Sequence, residues 1–215
     1  MVANLFAHID TWVFDLDNTL YPPTADLFGR MDPRFFAYIM RVTGVDADAA
    51  PALTKDLWQR HGSTLAGLMR EHEVDPHHFL ADVHDIDISH LTADTALAGA
   101  IGALPGRKIV FTNGSHNHAE RVLQARGLTD QFDAVYGIEH AEFQAKPAKE
   151  AFATVFELAG LAPATAAMFE DEPRNLAVPH SLGMRTVHVH PTPHESDHIH
   201  HHTDDLTAFL SQLGR

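Results

Sequence analysis

The sequence contains no cysteine, few cations relative to its acidic residues and no long apolar run. The missing cysteine excludes disulfide bonds and thiol catalysis. No stretch approaches the roughly 18 apolar residues that cross a bilayer, so we expect no membrane partner. The first residues lack the basic segment and cleavage site of a secretory signal, and a cytoplasmic location is the default expectation.

Positive charge is scarce: 15 lysines and arginines stand against 29 aspartates and glutamates, a formal net charge of -14. Binding to a nucleic acid polymer usually requires a basic face, so such a partner is disfavoured. A small phosphorylated substrate stays compatible with this acidity, because a metal ion and a few local cations create a positive pocket. Nothing in the sequence distinguishes a monomer from a homodimer.

Short apolar runs without alternation are typical of strands buried on both faces of a parallel sheet. Helical patterns separate these runs, and glycines at their ends are typical of helix C-termini. The alternation predicts an α/β fold with a doubly wound, Rossmann-like core. The predicted strands are 11–15, 108–112, 133–137, 166–171 and 186–190, and the helices are 115–126, 147–159, 175–182 and 204–213.

One long stretch interrupts this alternation, because residues 21–94 contain helical patterns and no convincing strand. We therefore predict a small all-helical cap at 21–94, inserted after the first strand. Residues 1–20 and 95–215 would then form the α/β catalytic core. The predicted cap helices are 25–42, 46–60, 63–71 and 76–83.

Pairs of carboxylates follow two of the predicted strands: Asp15 with Asp17, and Glu170 with Asp171. Strand ends of an open α/β sheet meet at its ligand-binding crevice. Grouped anions are costly there without a cation, and a hard divalent ion with oxygen ligands is the natural partner. The alternative is that each pair only caps the following turn or helix.

Two other places carry groups suited to a phosphate, the end of the predicted strand 108–112 and the start of the predicted helix 147–159. Thr112, Asn113 and Gly114 combine a hydroxyl with turn amides before a helix, which makes an anion cradle. Lys146, just before Pro147, offers a point charge. The alternatives are an ordinary strand-to-helix turn in the first case and a solvated surface lysine in the second.

Taken in order, D-x-D-x-T-L, hydrophobic-T-N-G, K-P and E-D resemble the four motifs of the haloacid dehalogenase-like superfamily. The helical insertion after the first motif also matches the cap position in that superfamily. The resemblance implies a Mg²⁺-dependent phosphomonoester hydrolase that forms an aspartyl phosphate. Asp17 separates phosphatases from dehalogenases here, because dehalogenases of the superfamily lack this second aspartate.

The resemblance also implies a role for each matched residue. Asp15 matches the nucleophile, and Asp17 matches the general acid and base. Thr112 with the Asn113 and Gly114 amides matches the phosphate cradle, and Lys146 matches the cation that neutralises the phosphoryl oxygens. The implied Mg²⁺ ligands are Asp15, Asp17 through its backbone carbonyl, Asp171, and Glu170 through water.

Four longer segments, 15–22, 62–69, 112–123 and 169–176, resemble the pyrimidine 5′-nucleotidase branch. This narrower resemblance implies a nucleoside 5′-monophosphate substrate. Its candidate contacts are Gly62, Ser63 and Thr64 in the cap and His118 beside the cradle, although 62–69 is equally interpreted as a packed helix junction. Alternatives are a phosphatase for another small ester, such as a sugar phosphate or phosphoglycolate, and a phosphomutase.

Histidines crowd residues 188–202. A transition-metal site is one interpretation, but the spacing gives no clear four-ligand pattern. We expect a solvated loop between the last strand and the last helix.

Overall fold

Six parallel strands form a single sheet in the computed structural model, which describes residues 2–214. The strand order is β3-β2-β1-β4-β5-β6, so β1 and β4 are adjacent at the centre. All five predicted strands are present, each within one residue of its predicted ends, and the α/β class is confirmed. The strands are β1 Thr11–Phe14, β2 Arg107–Phe111, β3 Ala134–Tyr136, β4 Ala166–Glu170, β5 Arg185–Val189 and β6 His201–Thr203.

Helices cover both faces of this sheet and also fill the long connection after β1. Every predicted helix is present, with ends displaced by up to four residues. The helices are α1 Val2–Leu5, α2 Leu27–Thr43, α3 Ala50–His61, α4 Thr64–His72, α5 Pro76–Val83, α6 Thr95–Gly102, α7 His116–Arg126, α8 Lys149–Ala159, α9 Ala177–Ser181 and α10 Leu206–Leu210. Within residues 2–214, none has the length and apolar character that a bilayer crossing requires.

The central strands are apolar throughout because each face of the sheet packs on its own helical layer. Val13 of β1 belongs to a cluster with Phe152 and Val155 of α8. Its neighbour Phe14 points the opposite way, into a cluster that includes Val122 of α7 and Leu210 of α10. Alternate residues of a strand therefore pack into different hydrophobic clusters, one on each face of the sheet. This is why these strands have no polar face.

Helices α2 to α5 share a third hydrophobic cluster, separate from the two that flank the sheet. Its members include Ile39, Leu57, Leu68 and Val83, each fully buried. Ile138, which follows β3, is the one member from outside the insertion among the buried residues of that cluster. The division into a core and a cap at 21–94 stays a prediction, and this separate cluster is compatible with it.

One buried arginine holds both chain connections between the insertion and the sheet. Arg126, at the end of α7, donates to Leu20 O at 3.3 Å, to Thr92 O at 2.7 Å and to the Asp94 carboxylate at 2.7 Å. These partners lie next to the predicted boundaries at 20 and 94. A single side chain thus ties the exit and the return of the chain to the sheet.

Three details differ from the sequence prediction. The histidine-rich segment ends in β6, which pairs in parallel with β5, so the expectation of a loop throughout 191–202 is wrong there. Helix α6 has no counterpart in the prediction, because its small, glycine-containing sequence TALAGAIG shows little amphipathic pattern. Helix α8 begins at Lys149 rather than at Pro147, since Ala148 is still extended at ψ 132°.

Candidate active site

Three predicted site residues lie side by side at the ends of the central strands. Asp15 follows β1 directly, and its amide donates to Phe169 O of β4 at 2.9 Å. The next residue of β4 is Glu170, so the two acids sit on adjacent strand ends. Thr112 follows β2 on the other side of β1, and its amide donates to Tyr136 O at 3.0 Å. Parallel pairing thus aligns three predicted site residues along one edge of the sheet.

Lys146 lies at the centre of this edge and is completely buried. Its Nζ donates to Asp15 Oδ1 and to Glu170 Oε2, both at 2.7 Å, and to Phe111 O at 2.9 Å. The interpretation of Lys146 as a solvated surface residue is therefore wrong. Burial alone would lower the pKa of Lys146, but the two carboxylates outweigh it and hold that pKa above its ordinary value.

Asp15, Glu170 and Asp171 form an acidic cluster in which one oxygen from each lies within 4.8 Å of the others. In the part of the chain that the structure describes, this is the one set of three or more such side chains with metal-ligand spacing. Burial, followed by the charge of Glu170, raises the pKa of Asp15 to about 8. Burial raises the pKa of Glu170 to about 7, and burial with the charge of Asp15 raises that of Asp171 to about 7.

These raised pKa values mean that one lysine does not compensate the two buried carboxylates of Asp15 and Glu170 and the half-buried carboxylate of Asp171. A divalent cation would supply the missing positive charge through oxygen ligands, so the donor set suits a hard ion such as Mg²⁺. Asn18 donates to Asp171 Oδ2 at 3.2 Å and holds that carboxylate toward the cluster.

Asp17 lies beside the acidic cluster but has its own partners. Its Oδ1 accepts from the Tyr21 hydroxyl at 2.6 Å and contacts His118 Nε2 at 3.1 Å. Burial would raise the pKa of Asp17, but His118 and then Tyr21 outweigh it and hold that pKa below its ordinary value. His118, predicted as a substrate contact, is fully buried and is directed at Asp17.

The predicted phosphate cradle is a tight turn between β2 and α7. The Gly114 amide donates to Thr112 Oγ1 at 2.9 Å, and Ser115 caps α7 by accepting from the His118 amide. The Asn113 side chain pairs with the Lys146 backbone, accepting at 2.7 Å and donating at 3.1 Å. The turn therefore fixes Lys146 as well as presenting its own groups.

A cavity of about 270 Å³ opens above these residues, between the strand ends and the helical insertion. Asp17, Asn113, Gly114 and Lys146 line it from the sheet side. The insertion contributes mainly apolar and aromatic side chains. These include Phe28, Met31, Phe35, Trp58 and Phe79.

Gly62, Ser63 and Thr64 also line this cavity, where the chain enters α4. Both hydroxyls already have partners: Ser63 caps α4 by accepting from Ala66 N, and Thr64 donates to Thr54 O at 3.3 Å. These two contacts support the interpretation of residues 62–69 as a packed helix junction. A hydroxyl that donates still has a lone pair to accept from a ligand.

The histidine-rich segment packs against the loop that carries Asp171. His188 Nε2 donates to Asp171 O at 2.9 Å, and His198 Nε2 donates to Pro173 O at 2.9 Å. Two of its histidines thus hold the loop that carries Asp171. No three histidines among residues 2–214 have ring nitrogens at metal-ligand spacing.

Sequence reasoning does not identify Tyr21, His84 or Arg174, which all lie at or behind the cavity. Tyr21 is four residues after Asp17, but this spacing carries no meaning outside a helix. Arg174 places its guanidinium 4.6 Å from the ring centroid of Trp58, across the cavity rim. Such contacts depend on tertiary structure alone.

Solved structures of related fold cover most of the chain. A HAD phosphatase from Thermococcus onnurineus aligns with a TM-score of 0.65 at 17% identity, covering 96% of this chain and 98% of its own. A 2-haloacid dehalogenase from Pseudomonas syringae aligns with a TM-score of 0.59 at 18% identity, covering 95% and 96%. At these identities the likeness concerns the fold alone.

A curated relative, phosphate metabolism protein 8 of Saccharomyces cerevisiae, is 27% identical over 205 residues. The alignment covers 86% of this chain and 64% of the yeast protein, so the chain spans somewhat under two thirds of that relative's length. The family model for haloacid dehalogenase-like hydrolases matches residues 9–183, which include β1 to β4 and every residue of the acidic cluster. The chain therefore belongs to the haloacid dehalogenase-like hydrolase family.

Proposed function

We propose that the protein is a Mg²⁺-dependent phosphomonoester hydrolase in which Asp15 becomes transiently phosphorylated. The observation that carries this proposal is the pairing of two carboxylates with different surroundings at one strand end. Asp15 contacts the buried Lys146, whereas Asp17 contacts Tyr21 and His118 and lines the cavity. Two acids in different environments suit two roles, a nucleophile and a general acid and base.

In the first step, an Asp15 carboxylate oxygen forms a bond to phosphorus while the bond from phosphorus to the ester oxygen breaks. Asp17 is a carboxylate in the free protein, because its pKa is held below the ordinary value. It takes up a proton when the negatively charged phosphate binds beside it. That proton then passes to the ester oxygen, so the alcohol leaves uncharged and Asp17 is a carboxylate again. Lys146, held between Asp15 and Glu170, offsets negative charge on the phosphoryl oxygens.

In the second step, a water molecule attacks phosphorus and gives a proton to Asp17. The bond from Asp15 to phosphorus breaks and inorganic phosphate is released, which regenerates the Asp15 carboxylate. Asp17 then loses its proton to solvent and is a carboxylate again. Asn113 and Gly114 line the same cavity, and the buried Thr112 hydroxyl lies next to them and accepts from the Gly114 amide. This turn is suited to bind the phosphate oxygens. Asp17 therefore serves as acid in one step and as base in the other.

The carboxylates of Asp15 and Asp171, with the Asp17 carbonyl and with Glu170 through water, would hold the magnesium ion. When bound, the ion supplies positive charge that neutralises the phosphoryl group and orients it toward the nucleophile. The spacing and the raised pKa values of the acidic cluster support this assignment.

Magnesium should stabilise the protein more as pH rises. Asp15, Glu170 and Asp171 have folded pKa values of about 7–8, so below that range protons compete with the metal for their oxygens. We expect the Mg²⁺-induced increase in Tm to be larger at about pH 8 than at about pH 6. Thermal unfolding with chelator and with Mg²⁺ at both pH values measures this difference. An unchanged Tm at both, or the same response in Asp171→Asn, would contradict the metal assignment.

For the substrate, we propose a nucleoside 5′-monophosphate, with a pyrimidine base preferred. The aromatic side chains around the cavity suit a flat leaving group, and the pyrimidine 5′-nucleotidase motifs of the sequence agree with this. The name of the yeast relative refers to phosphate metabolism. Residues 21–94 would act as the cap that closes over this group.

A phosphomutase would have to bind a second phosphate on the cap side. Most arginines of the insertion are engaged elsewhere: Arg34 and Arg41 pair with Asp82, and Arg60 pairs with Glu71. The cavity-lining lysines and arginines described by the structure are Lys146 and Arg174, both from the sheet side. This distribution favours hydrolysis of a monoester.

Phosphate release from a panel of nucleoside, sugar and glycolate monophosphates with Mg²⁺ tests the proposal. We expect pyrimidine monophosphates to have the highest kcat/KM. A preference for a sugar phosphate or phosphoglycolate would replace the nucleotidase assignment by the alternative phosphatase. No release from any ester would refute the hydrolase proposal itself.

Replacing Thr64 by valine keeps the side-chain shape and removes the hydroxyl in the cavity wall. If that hydroxyl binds the nucleoside, kcat/KM for UMP should fall. The expected loss corresponds to about 1–3 kcal/mol of transition-state stabilisation. Turnover of p-nitrophenyl phosphate should hardly change. Equal losses on both substrates would identify 62–69 as a purely structural junction.

A further inference from the structure

Asp17 is held by two side chains that the reaction scheme does not use. Both act on the same oxygen: Tyr21 donates to Oδ1 at 2.6 Å, and His118 Nε2 contacts it at 3.1 Å. Tyr21 is 2% exposed and His118 is 1% exposed, so bulk water does not compete for either contact. Two partners on one oxygen fix the rotation of the carboxylate about its Cβ–Cγ bond.

The second oxygen of Asp17 faces the phosphate cradle. A Cβ placed on Gly114 would lie 3.5 Å from Asp17 Oδ2 and 3.3 Å from Thr112 Oγ1. Gly114 and Asp17 both line the cavity, so Oδ2 borders the space next to the proposed phosphate site. Fixing Oδ1 therefore directs Oδ2 toward the position of the ester oxygen.

A further layer from the helical insertion supports His118. The ring of His84, at the C-terminus of α5, stacks on His118 with centroids 4.4 Å apart and planes at 16°. His84 Nδ1 and Ser115 Oγ are 3.0 Å apart, and the same hydroxyl oxygen accepts from the His118 amide at 3.2 Å. The insertion thus contributes a side chain to the support of an acid that belongs to the sheet.

We infer that Tyr21 and His118 are positioning residues that orient Asp17 so that Oδ2 delivers the proton to the leaving-group oxygen. This inference rests on the proposed phosphatase function. Neither residue needs to touch the substrate, since each acts through Asp17. Their importance should depend on how much a substrate needs its leaving group protonated.

The test compares kcat/KM for an alkyl phosphate, the best nucleoside monophosphate of the panel, with that for p-nitrophenyl phosphate. This parameter reports the steps up to cleavage of the ester bond, and p-nitrophenolate leaves without protonation. For Tyr21→Phe we expect a loss of about 10-fold or more on the alkyl ester and about 2-fold or less on the aryl ester. His118→Leu should behave alike. His118→Gln, whose amide can donate from nearly the same place, should recover much of the alkyl activity.

Tyr38→Phe is the matched control, because it removes the hydroxyl of another buried tyrosine, which is bonded to His78 at 3.0 Å and not to Asp17. This variant should have the wild-type kcat/KM on both substrates. Equal losses on both esters in Tyr21→Phe and His118→Leu, or no loss on either, would overturn the positioning inference while leaving the phosphatase intact. Absence of turnover by the wild type would instead refute the proposed function. Should Tyr21→Phe not fold, the contrast between His118→Gln and His118→Leu decides the inference.

Discussion

Replacing Asp15 by asparagine should reduce kcat to below about a thousandth of the wild-type value. An amide oxygen is a weak nucleophile, so the substituted side chain should not form the bond to phosphorus. Phosphate release with Mg²⁺ at saturating substrate measures the loss.

The same substitution should leave the fold intact. The amide oxygen of the new side chain can still accept from Lys146, and the change removes a buried acid whose pKa burial has raised to about 8. The chelated variant should therefore unfold at no lower temperature than the chelated wild type. Asp10→Asn, at the opposite end of β1, is the matched control and should keep full activity. A fully active Asp15→Asn enzyme would exclude Asp15 as the nucleophile.

Replacing Lys146 by methionine should cost both stability and activity. The substitution leaves Asp15 and Glu170 buried without their shared cation, and breaking a buried ion pair from one side costs about 3–5 kcal/mol. Turnover should also fall strongly, because the charge that offsets the phosphoryl oxygens is lost. Denaturant unfolding of the chelated protein measures the first effect, and kcat measures the second.

A double variant separates the two effects of the lysine. Adding Glu170→Gln to Lys146→Met removes one of the two buried carboxylates that lost their cation, so much of the lost stability should return. Activity should not return, because the phosphoryl group still lacks its cation. Recovery of activity along with stability would mean that Lys146 only maintains the fold.

The strand ends were predictable because local sequence determines them. Runs such as 11–15 and 166–171 are apolar up to the acids that end them, so the end of the strand and the start of the site coincide. Lys146 was predictable only through the motif order, since nothing near it in the sequence indicates a fully buried lysine.

Other parts depend on contacts between distant segments. β6 carries His201 and His202, whose polar character gives no strand signal, and it forms because β5 leaves an edge free. The contact of His84 with His118 joins the C-terminus of α5 to α7, and the two histidines are 34 residues apart in the chain. No local pattern could have paired these two histidines.

Trapping the phosphorylated enzyme tests the role of Asp15 as the nucleophile most directly. In Asp17→Asn, p-nitrophenyl phosphate needs no proton on its leaving group, whereas hydrolysis of the intermediate still needs the missing base. We expect a burst of about one p-nitrophenolate per active site, followed by slow turnover, and a phosphoryl group on the peptide containing Asp15 after acid quench. Steady turnover with no burst and no phosphorylated peptide would contradict nucleophilic catalysis by Asp15.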